Sequence, residues 1–307
     1  MLRKEFVEAV VDEIKNIVGD NAEVKHNEMR KNNGVVLNGI SILMPGETIS
    51  PVAYIESYVK DGYVREDYGI KIHNIATEII TTIANYRNNP MTQIDKENFT
   101  NFEYVKDKLF ILLLNYNKNK EMLKELPHQI FLDLAVVCCI KVGDDGMIKI
   151  SNNLLNAYGV TKETLFDIAC ENTPKLEPAV GTNMINMMFG LITEENKEIN
   201  EELLDDFELD DIAPPMYVLT NKSKYYGAST ILYNGLLDRI ANKIDKDLIV
   251  IPSSVHEVIL LPYDNELDVD VVTDMVRSVN QSELEQEEML SNHAYIYNRT
   301  TKKIEMP

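Results

Sequence analysis

The chain has 307 residues, 45% of them apolar and 26% charged, with 13 Gly, 11 Pro, 3 Cys and no Trp. That composition excludes a disordered, collagen-like or disulfide-stapled chain, and the length suffices for one large or two ordinary domains. Thirty basic against 50 acidic residues leave a net charge of −20, which repels phosphate and anionic lipid and so argues against nucleic acid or a membrane surface as a direct ligand.

The opening Met1 to Asp20 reads as an amphipathic helix, with Phe6, Val10, Ile14 and Ile17 on one face and Gly19 as its stop. Acids run through it, unlike a secretory leader, and no long apolar run follows, so a cytoplasmic protein is expected. Residues 22–31 and 35–44 are β-rich on either side of Asn32-Asn33-Gly34, which tolerates positive φ, and predict a hairpin. Pro45-Gly46 ends it. Ser50 followed by Pro51 reads as a helix start, and a second helix is expected over about 66–86, with Ile72, Ile75, Ala76, Ile79, Ile80 and Ile83 as its apolar stripe. Asn88-Asn89-Pro90 breaks that helix.

From residue 105 strands and helices alternate. Residues 109–116 read as a strand, 118–126 as a helix, and 131–142 as one strand buried on both faces. Gly143 to Gly146 turns the chain into 147–150, Ser151 and Thr161 each start a helix, and Pro174 and Pro178 close this half. After an acidic stretch, strand 216–220, helix 228–243, strands 247–252 and 255–262, helix 268–280 and a hairpin over 293–298 and 302–306 complete the chain. The order strand, helix, strand, turn, strand, helix occurs twice and points to a duplicated unit, although no residue-level repeat accompanies it.

The expected fold is therefore α+β: a mixed β-sheet with flanking helices, preceded by an N-terminal helix and β-hairpin. The expected parts are 1–100, two halves of a main domain at 101–193 and 216–307, and an acidic connection at 194–215. Cys138 and Cys139 lie inside an apolar run and Cys170 ends a helical segment; no zinc or redox spacing occurs, so all three read as buried small hydrophobes.

Several segments carry a family resemblance. LPHQIFLDLAVVCCIKV, MYVLTNKSKYYGASTILYNGLLDRIA, IPSSVHEVILLP and MVRSVN followed by LSNHAYIY resemble a domain-of-unknown-function family from gut Firmicutes, over most of the chain. A more distant similarity is to the YtpQ-like family, from which this chain departs by extra residues between Pro252 and Glu257. Neither resemblance implies an activity, so function is read from side-chain chemistry.

The densest polar cluster within apolar sequence is Ser253, Ser254, His256 and Glu257. A hydrolase or transferase would use a serine as nucleophile and His256 as base. On a strand, however, His256 projects with Val258 and Leu260 while Glu257 projects to the other face, so Glu257 cannot orient the imidazole. Nor does the chain contain a Gly-x-Ser-x-Gly elbow. The plainer reading is a hairpin turn whose hydroxyls satisfy backbone groups. His128 and His293 are the other histidines beside apolar strands, but no short ligand spacing joins them to His256. Asp264, Glu266, Asp268 and Asp270 mimic a calcium loop, yet Val269 stands where Gly is needed and Met275 where the bidentate Glu belongs, leaving a solvated helix start. No metal and no cofactor is expected.

Tyr225, Tyr226, Gly227, Ala228 and Ser229 precede a helix after a strand, an arrangement whose free N–H groups can bind an anion and whose rings can stack on a ligand. Met184, Met187, Met188 and Phe189 form a second apolar group, read first as core. The acids themselves are uneven: residues 194–211 carry −9 and residues 264–288 carry −8. Glu201, Glu202, Asp205 and Asp206, with Glu283, Glu285, Glu287 and Glu288, are the expected docking carboxylates for a basic protein partner. The leading expectation is a non-catalytic acidic binding or regulatory protein. The alternatives are the small-molecule hydrolase or transferase at Ser254 and His256, and an acidic mimic of nucleic acid.

Overall fold

The computed structural model describes residues 4–47, 50–59, 68–88, 99–143, 146–184, 216–252, 254–264 and 266–307. The chain forms two compact units, Met1–Ile94 and Asp95–Pro307.

In the first unit, helix α1 (Lys4–Val18) ends at Gly19, whose φ of 61° suits a residue without Cβ. Strands β1 (Glu23–Arg30) and β2 (Val36–Leu43) form the expected hairpin, with Asn33 and Gly34 at positive φ in the turn. Ser50 does not start a helix. Val52–Tyr54 is instead a third strand, β3, paired along β2 with Ala53 opposite Ile40, and the Ser50 hydroxyl accepts the Ile42 N–H. Pairing with an open sheet edge outweighed the Ser-Pro start signal, and Ile55, directly after β3, reaches the core. Helix α2 (Tyr68–Asn88) buries Ile75, Ala76, Ile79 and Ile83 against Phe6, Val10, Ile14, Ile40 and Ile42, while Ile17 stays exposed.

The second unit holds two sheets. The first contains β4 (Leu109–Asn115), β5 (His128–Phe131), β6 (Leu134–Val142) and β7 (Gly146–Lys149). Here β6 is central: β4 pairs with one edge, while β5 and β7 pair with successive stretches of the other. The strand expected over 131–142 is thus two strands, separated where Leu132 takes a φ of 56°. The single turn α3 (Phe102–Val105) leads towards β4, and helix α4 (Lys120–Leu123) links β4 to β5. Helices α5 (Asn152–Tyr158) and α6 (Lys162–Leu176) start as expected, the Ser151 and Thr161 side chains accepting N–H bonds from Leu154 and Thr164. Pro174 lies within the last turn of α6 rather than beyond it.

The second sheet has the order β13-β12-β10-β11-β9-β8, with β8 at Ala179–Asn183, β9 at Tyr217–Asn221, β10 at Asp247–Ile251, β11 at Val258–Tyr263, β12 at Tyr295–Asn298 and β13 at Lys303–Glu305. Because β8 pairs with β9, the two halves set apart in the sequence share one sheet. The acidic connection between them, with Met187, Met188 and Phe189, lies outside the described residues, as do Asn89 and Pro90. The helix expected over 228–243 is a 3₁₀ segment, Gly227–Leu232, and a separate helix α7, Leu236–Ile244, divided at Gly235 with a φ of 71°. Helix α8 (Val269–Ser282) follows β11, and Asp268 caps it by accepting the Asp270 N–H at 2.9 Å.

The fold is α+β, but every strand pairing among the described residues is antiparallel, in place of the expected mixed sheet. The reason is a shared topology. In each sheet of the second unit a strand, a helical connection and a second strand run the same way, and a hairpin then inserts the third strand between them: β4-β6-β5 and β9-β11-β10. The repeated order of elements is therefore a repeated split unit, and it leaves one trace in sequence. Both first strands end in a buried asparagine that closes the loop after it. Asn115 Oδ1 accepts the Lys118 N–H at 2.8 Å, and Asn221 Oδ1 accepts the Tyr225 N–H at 3.2 Å while its amide donates to Tyr225 O at 2.9 Å.

Alternate residues of β4 serve two cores, Leu109, Ile111 and Leu113 facing β9 to β11 and their helices, Phe110, Leu112 and Leu114 facing α4. Cys138 and Cys139 are buried as expected, and burial pushes the Cys139 thiol up to about 12. Cys170 is exposed on α6, contrary to expectation. Replacing Asn115 or Asn221 by Ala should each cost about 1–3 kcal/mol by leaving buried backbone groups unpaired, measured by urea denaturation; two variants as stable as the parent would contradict the loop-closing role.

Candidate functional site

The two polar segments singled out in the sequence meet in the second unit. After β9 the chain folds back through a loop in which Lys224 and Tyr226 have φ of 56° and 52°. Gly227 then lies so close to the facing backbone that a Cβ there would fall 2.2 Å from Thr220 Oγ1 and 2.5 Å from His256 O. Only glycine permits this approach. The Thr220 hydroxyl donates to His256 O at 2.7 Å, and the Tyr226 N–H donates to His256 Nδ1 at 3.3 Å. With Nδ1 an acceptor, the neutral ring carries its proton on Nε2, which lies 3.7 Å from Glu288 Oε1.

Residues 255–257 are not a strand: β11 begins at Val258, so the alternation that set Glu257 against His256 does not operate. The turn is instead held from two sides, Ala228 N–H donating to Val255 O at 3.1 Å and Val255 N–H to Glu288 O at 2.8 Å. Glu257 nonetheless takes another partner. The buried Ser254 hydroxyl donates to Glu257 Oε1 at 2.8 Å and accepts the His256 backbone N–H at 3.0 Å. A nucleophilic serine needs the imidazole nitrogen to accept its proton; here the hydroxyl faces a carboxylate and Nδ1 faces a main-chain donor. Ser253 lies outside the described residues.

The rings of Tyr225, Tyr226 and His256 pack on one another, with centroids 4.8 Å apart for the two tyrosines and 5.3 and 5.8 Å from each to the histidine. Tyr225 is exposed and Tyr226 is not, and burial, then the nearby Tyr225, raises the Tyr226 phenol well above the ordinary value. The anion site expected here is occupied by the fold itself: Ala228 N–H bonds Val255 O, the Ser229 hydroxyl donates to Tyr226 O at 3.2 Å, and Gly227, Ala228 and Ser229 are buried.

A second polar cluster, which the sequence reading passed over, centres on Asp133 in the β5–β6 turn. Its Oδ2 accepts the Ser291 hydroxyl at 2.8 Å and lies 3.2 Å from His293 Nδ1, while the Tyr295 hydroxyl donates to Oδ1. The His293 N–H returns to Ser291 Oγ at 3.0 Å. Serine, histidine and aspartate are all present, but the carboxylate sits in the middle where a nucleophilic triad has the imidazole. A single acid within the run Ile130 to Ile140 was the signal available in sequence. Burial, then the Asp133 charge, holds the Tyr295 phenol far above its ordinary value of 10.0.

The histidines do not converge. His128 Nδ1 pairs with Leu126 O at 2.9 Å, His256 with Tyr226 and His293 with Asp133, and no group of three or more His, Cys, Asp or Glu side chains is arranged for a metal among the described residues. Asp264 pairs with Lys246 at 2.9 Å, which lowers its carboxyl pKa, and accepts the Glu266 N–H at 3.2 Å, so the calcium-like spacing is a capped helix start. Of the docking carboxylates, Glu283, Glu285 and Glu287 are exposed and Glu288 is half-buried beside His256. Glu201, Glu202, Asp205 and Asp206 lie outside the described residues. Among the described residues, no helix is long and apolar enough to cross a membrane.

Fold and site define an α+β protein built on a repeated split β-α-β unit, with its polar clusters engaged in internal bonds. The expected resemblance to a family of unknown function is borne out: the chain belongs to the family of unknown function DUF5688, whose model matches residues 3–299. No curated protein and no solved structure matches it.

Removing the His256 ring should cost about 1–3 kcal/mol, because the Tyr226 N–H loses its acceptor and two tyrosines lose their packing partner; a His256→Ala protein that melts like the parent but lacks a hydrolytic activity of the parent would reverse this assignment. The buried phenols give a second prediction. Tyr226, Tyr233 and Tyr295 keep their protons in the folded state above the value of 10.0 at which the unfolded chain loses them. Their contribution to stability is therefore complete below pH 10.0 and is lost as pH rises above it. Unfolding free energies measured from pH 8 upward should be flat in this respect and then fall, less steeply for Tyr295→Phe.

Proposed function

We propose that this is a non-catalytic cytoplasmic binding protein that recruits a basic protein partner through its acidic C-terminal surface. The observation that carries the reading is the state of the acids in 264–288. Asp264, Glu266, Asp268, Asp270, Asp274, Glu283, Glu285 and Glu287 are all exposed, on a folded helix and its flanks. The single basic residue of that stretch, Arg277, is matched to Asp274 at 2.9 Å. Carboxylates gathered on a rigid element raise the local concentration of a cationic partner and speed its encounter. The same surface repels phosphate, which speaks against nucleic acid as the ligand. A partner that itself binds DNA or RNA would make the surface a mimic of nucleic acid.

The rival reading, a hydrolase or transferase at Ser254 and His256, draws support from the Ser254–Glu257 hydrogen bond and from two tyrosines beside the imidazole. The direction of those bonds favours a structural role: the main chain of Val255 and His256 and the His256 ring are tied to the loop after β9 and to residues 288–289, while the Ser254 hydroxyl is engaged within the turn by Glu257 and the His256 N–H.

The test is to capture a partner from lysate at low salt and compare association rates for two variants. One replaces Glu283, Glu285, Glu287 and Glu288 by Gln; the other replaces Glu201 and Glu202 by Gln and Asp205 and Asp206 by Asn. Screening over a Debye length of about 8 Å at physiological salt should slow association in the parent with little change in dissociation, and the first variant should reproduce that loss at low salt. Rates independent of salt and equal in both variants would reject the acidic-docking function.

A further inference from the structure

We infer that the outer face of α8 seats a basic amphipathic helix of the partner protein, with an apolar ridge supplying the contact and the adjoining acids the orientation. This rests on the acidic-docking function and names its surface.

Helix α8 has two apolar faces. Val269 and Val272 are buried beside Ile249 and Ala294, and Val276 is buried on the same side of the helix. Val271, Met275 and Val279 point elsewhere, with 47%, 62% and 49% of their surface exposed, and Leu267 just before the helix is 43% exposed. Spacings of four residues stack the three helical side chains in one row along the helix. The residue before each is polar: Asp270, Asp274 and Ser278 form a parallel row turned by about 100°. The surface is thus a hydrophobic ridge bordered by Asp270 and by Asp274, the latter paired with Arg277, on a helix anchored from behind.

Local propensity does not explain the ridge. Valine is a poor choice for an exposed helical position, where Ala, Glu or Lys lose less side-chain freedom, and an apolar row gains nothing from water. Residues that violate the local rule without an internal partner mark a contact made elsewhere.

Charge selects the occupant. A second copy of this chain would set acidic row against acidic row in a protein of net charge −20. A membrane-surface helix carries Lys and Arg beside its apolar face, whereas α8 carries one Arg, already paired. A helix with apolar residues at three- and four-residue spacing and Lys or Arg on its flanks satisfies both rows, in the manner of helix-on-surface recognition.

The experiment uses the full-length protein and two fluorescein-labelled peptides of the same Leu, Lys and Ala composition. One places every Leu on a single helical face; the other scrambles the order. Anisotropy titrations at low salt should show the ordered peptide binding at least about tenfold more tightly. Val271→Thr/Met275→Gln/Val279→Thr, which leaves the charge unchanged, should abolish that preference while keeping the parent's affinity for the scrambled peptide and its salt dependence. Thermal melting followed by circular dichroism verifies that the variant folds, and the single variant Met275→Gln, at the most exposed position, decides the matter if the triple one does not. Equal binding of the two peptides by the parent, or a preference that survives in the variants, overturns the ridge as the seat and leaves the acidic-docking function standing. Failure of the parent to bind either peptide overturns both.

Discussion

The arrangement of the second unit depends on the absence of a side chain at Gly227. Because the loop after β9 can press its backbone against His256 O and Thr220, the turn between β10 and β11 is clasped on that side by Ala228 and on the other by Glu288. Hydrogen bonds in such a clasp each add only about 1 kcal/mol net, but leaving one unmade in a buried place costs more. His256 takes its orientation from this clasp, and Ser254, which is buried, holds the half-buried Glu257 beside it.

Asp133 performs a comparable service between the two sheets of the same unit. A carboxylate in the β5–β6 turn is expensive to bury unless its lone pairs are filled, and Ser291, His293 and Tyr295 fill them. All three come from the segment entering β12, so the ionised group ties the end of the chain to the first sheet. Asn115 adds a bond to Leu290 O at 2.7 Å from the same direction. The raised Tyr295 phenol follows from its burial first and then from the Asp133 charge, beside which a second negative charge is unfavourable.

What was legible in the sequence was local. The period of α1 and α2, the Asn-Asn-Gly turn, and the caps at Ser151 and Thr161 all depend on residues within a few positions of one another, and each is present, with Ile17 of the α1 face left exposed. What failed was decided at a distance. Ser50-Pro51 promised a helix, but the free edge of β2 took the segment as a strand. The run 131–142 looked continuous because the turn at Leu132 and Asp133 contains no Gly or Pro and is stabilised by residues some 160 positions away. The candidate site divides in the same way: the Ser-Ser-x-His-Glu block and the Tyr-Tyr-Gly turn were each visible, whereas their union around His256 and the whole Asp133 cluster required the fold.

The same partition bears on where binding chemistry remains. The clusters at His256 and Asp133 each bond within themselves and to the backbone. What α8 and its flanks leave to solvent includes the apolar row Val271, Met275 and Val279, the acids Asp270 and Asp274 beside it, and Glu283, Glu285 and Glu287 beyond the helix end. Neither row suffices alone: exposed ion pairs contribute about 0.2–1 kcal/mol each and weaken with salt, while a short apolar ridge lacks direction. Set side by side on one anchored helix, as the proposed docking requires, the acids would set the rate and orientation of a partner's approach, and the ridge, once desolvated, would set how long it stays.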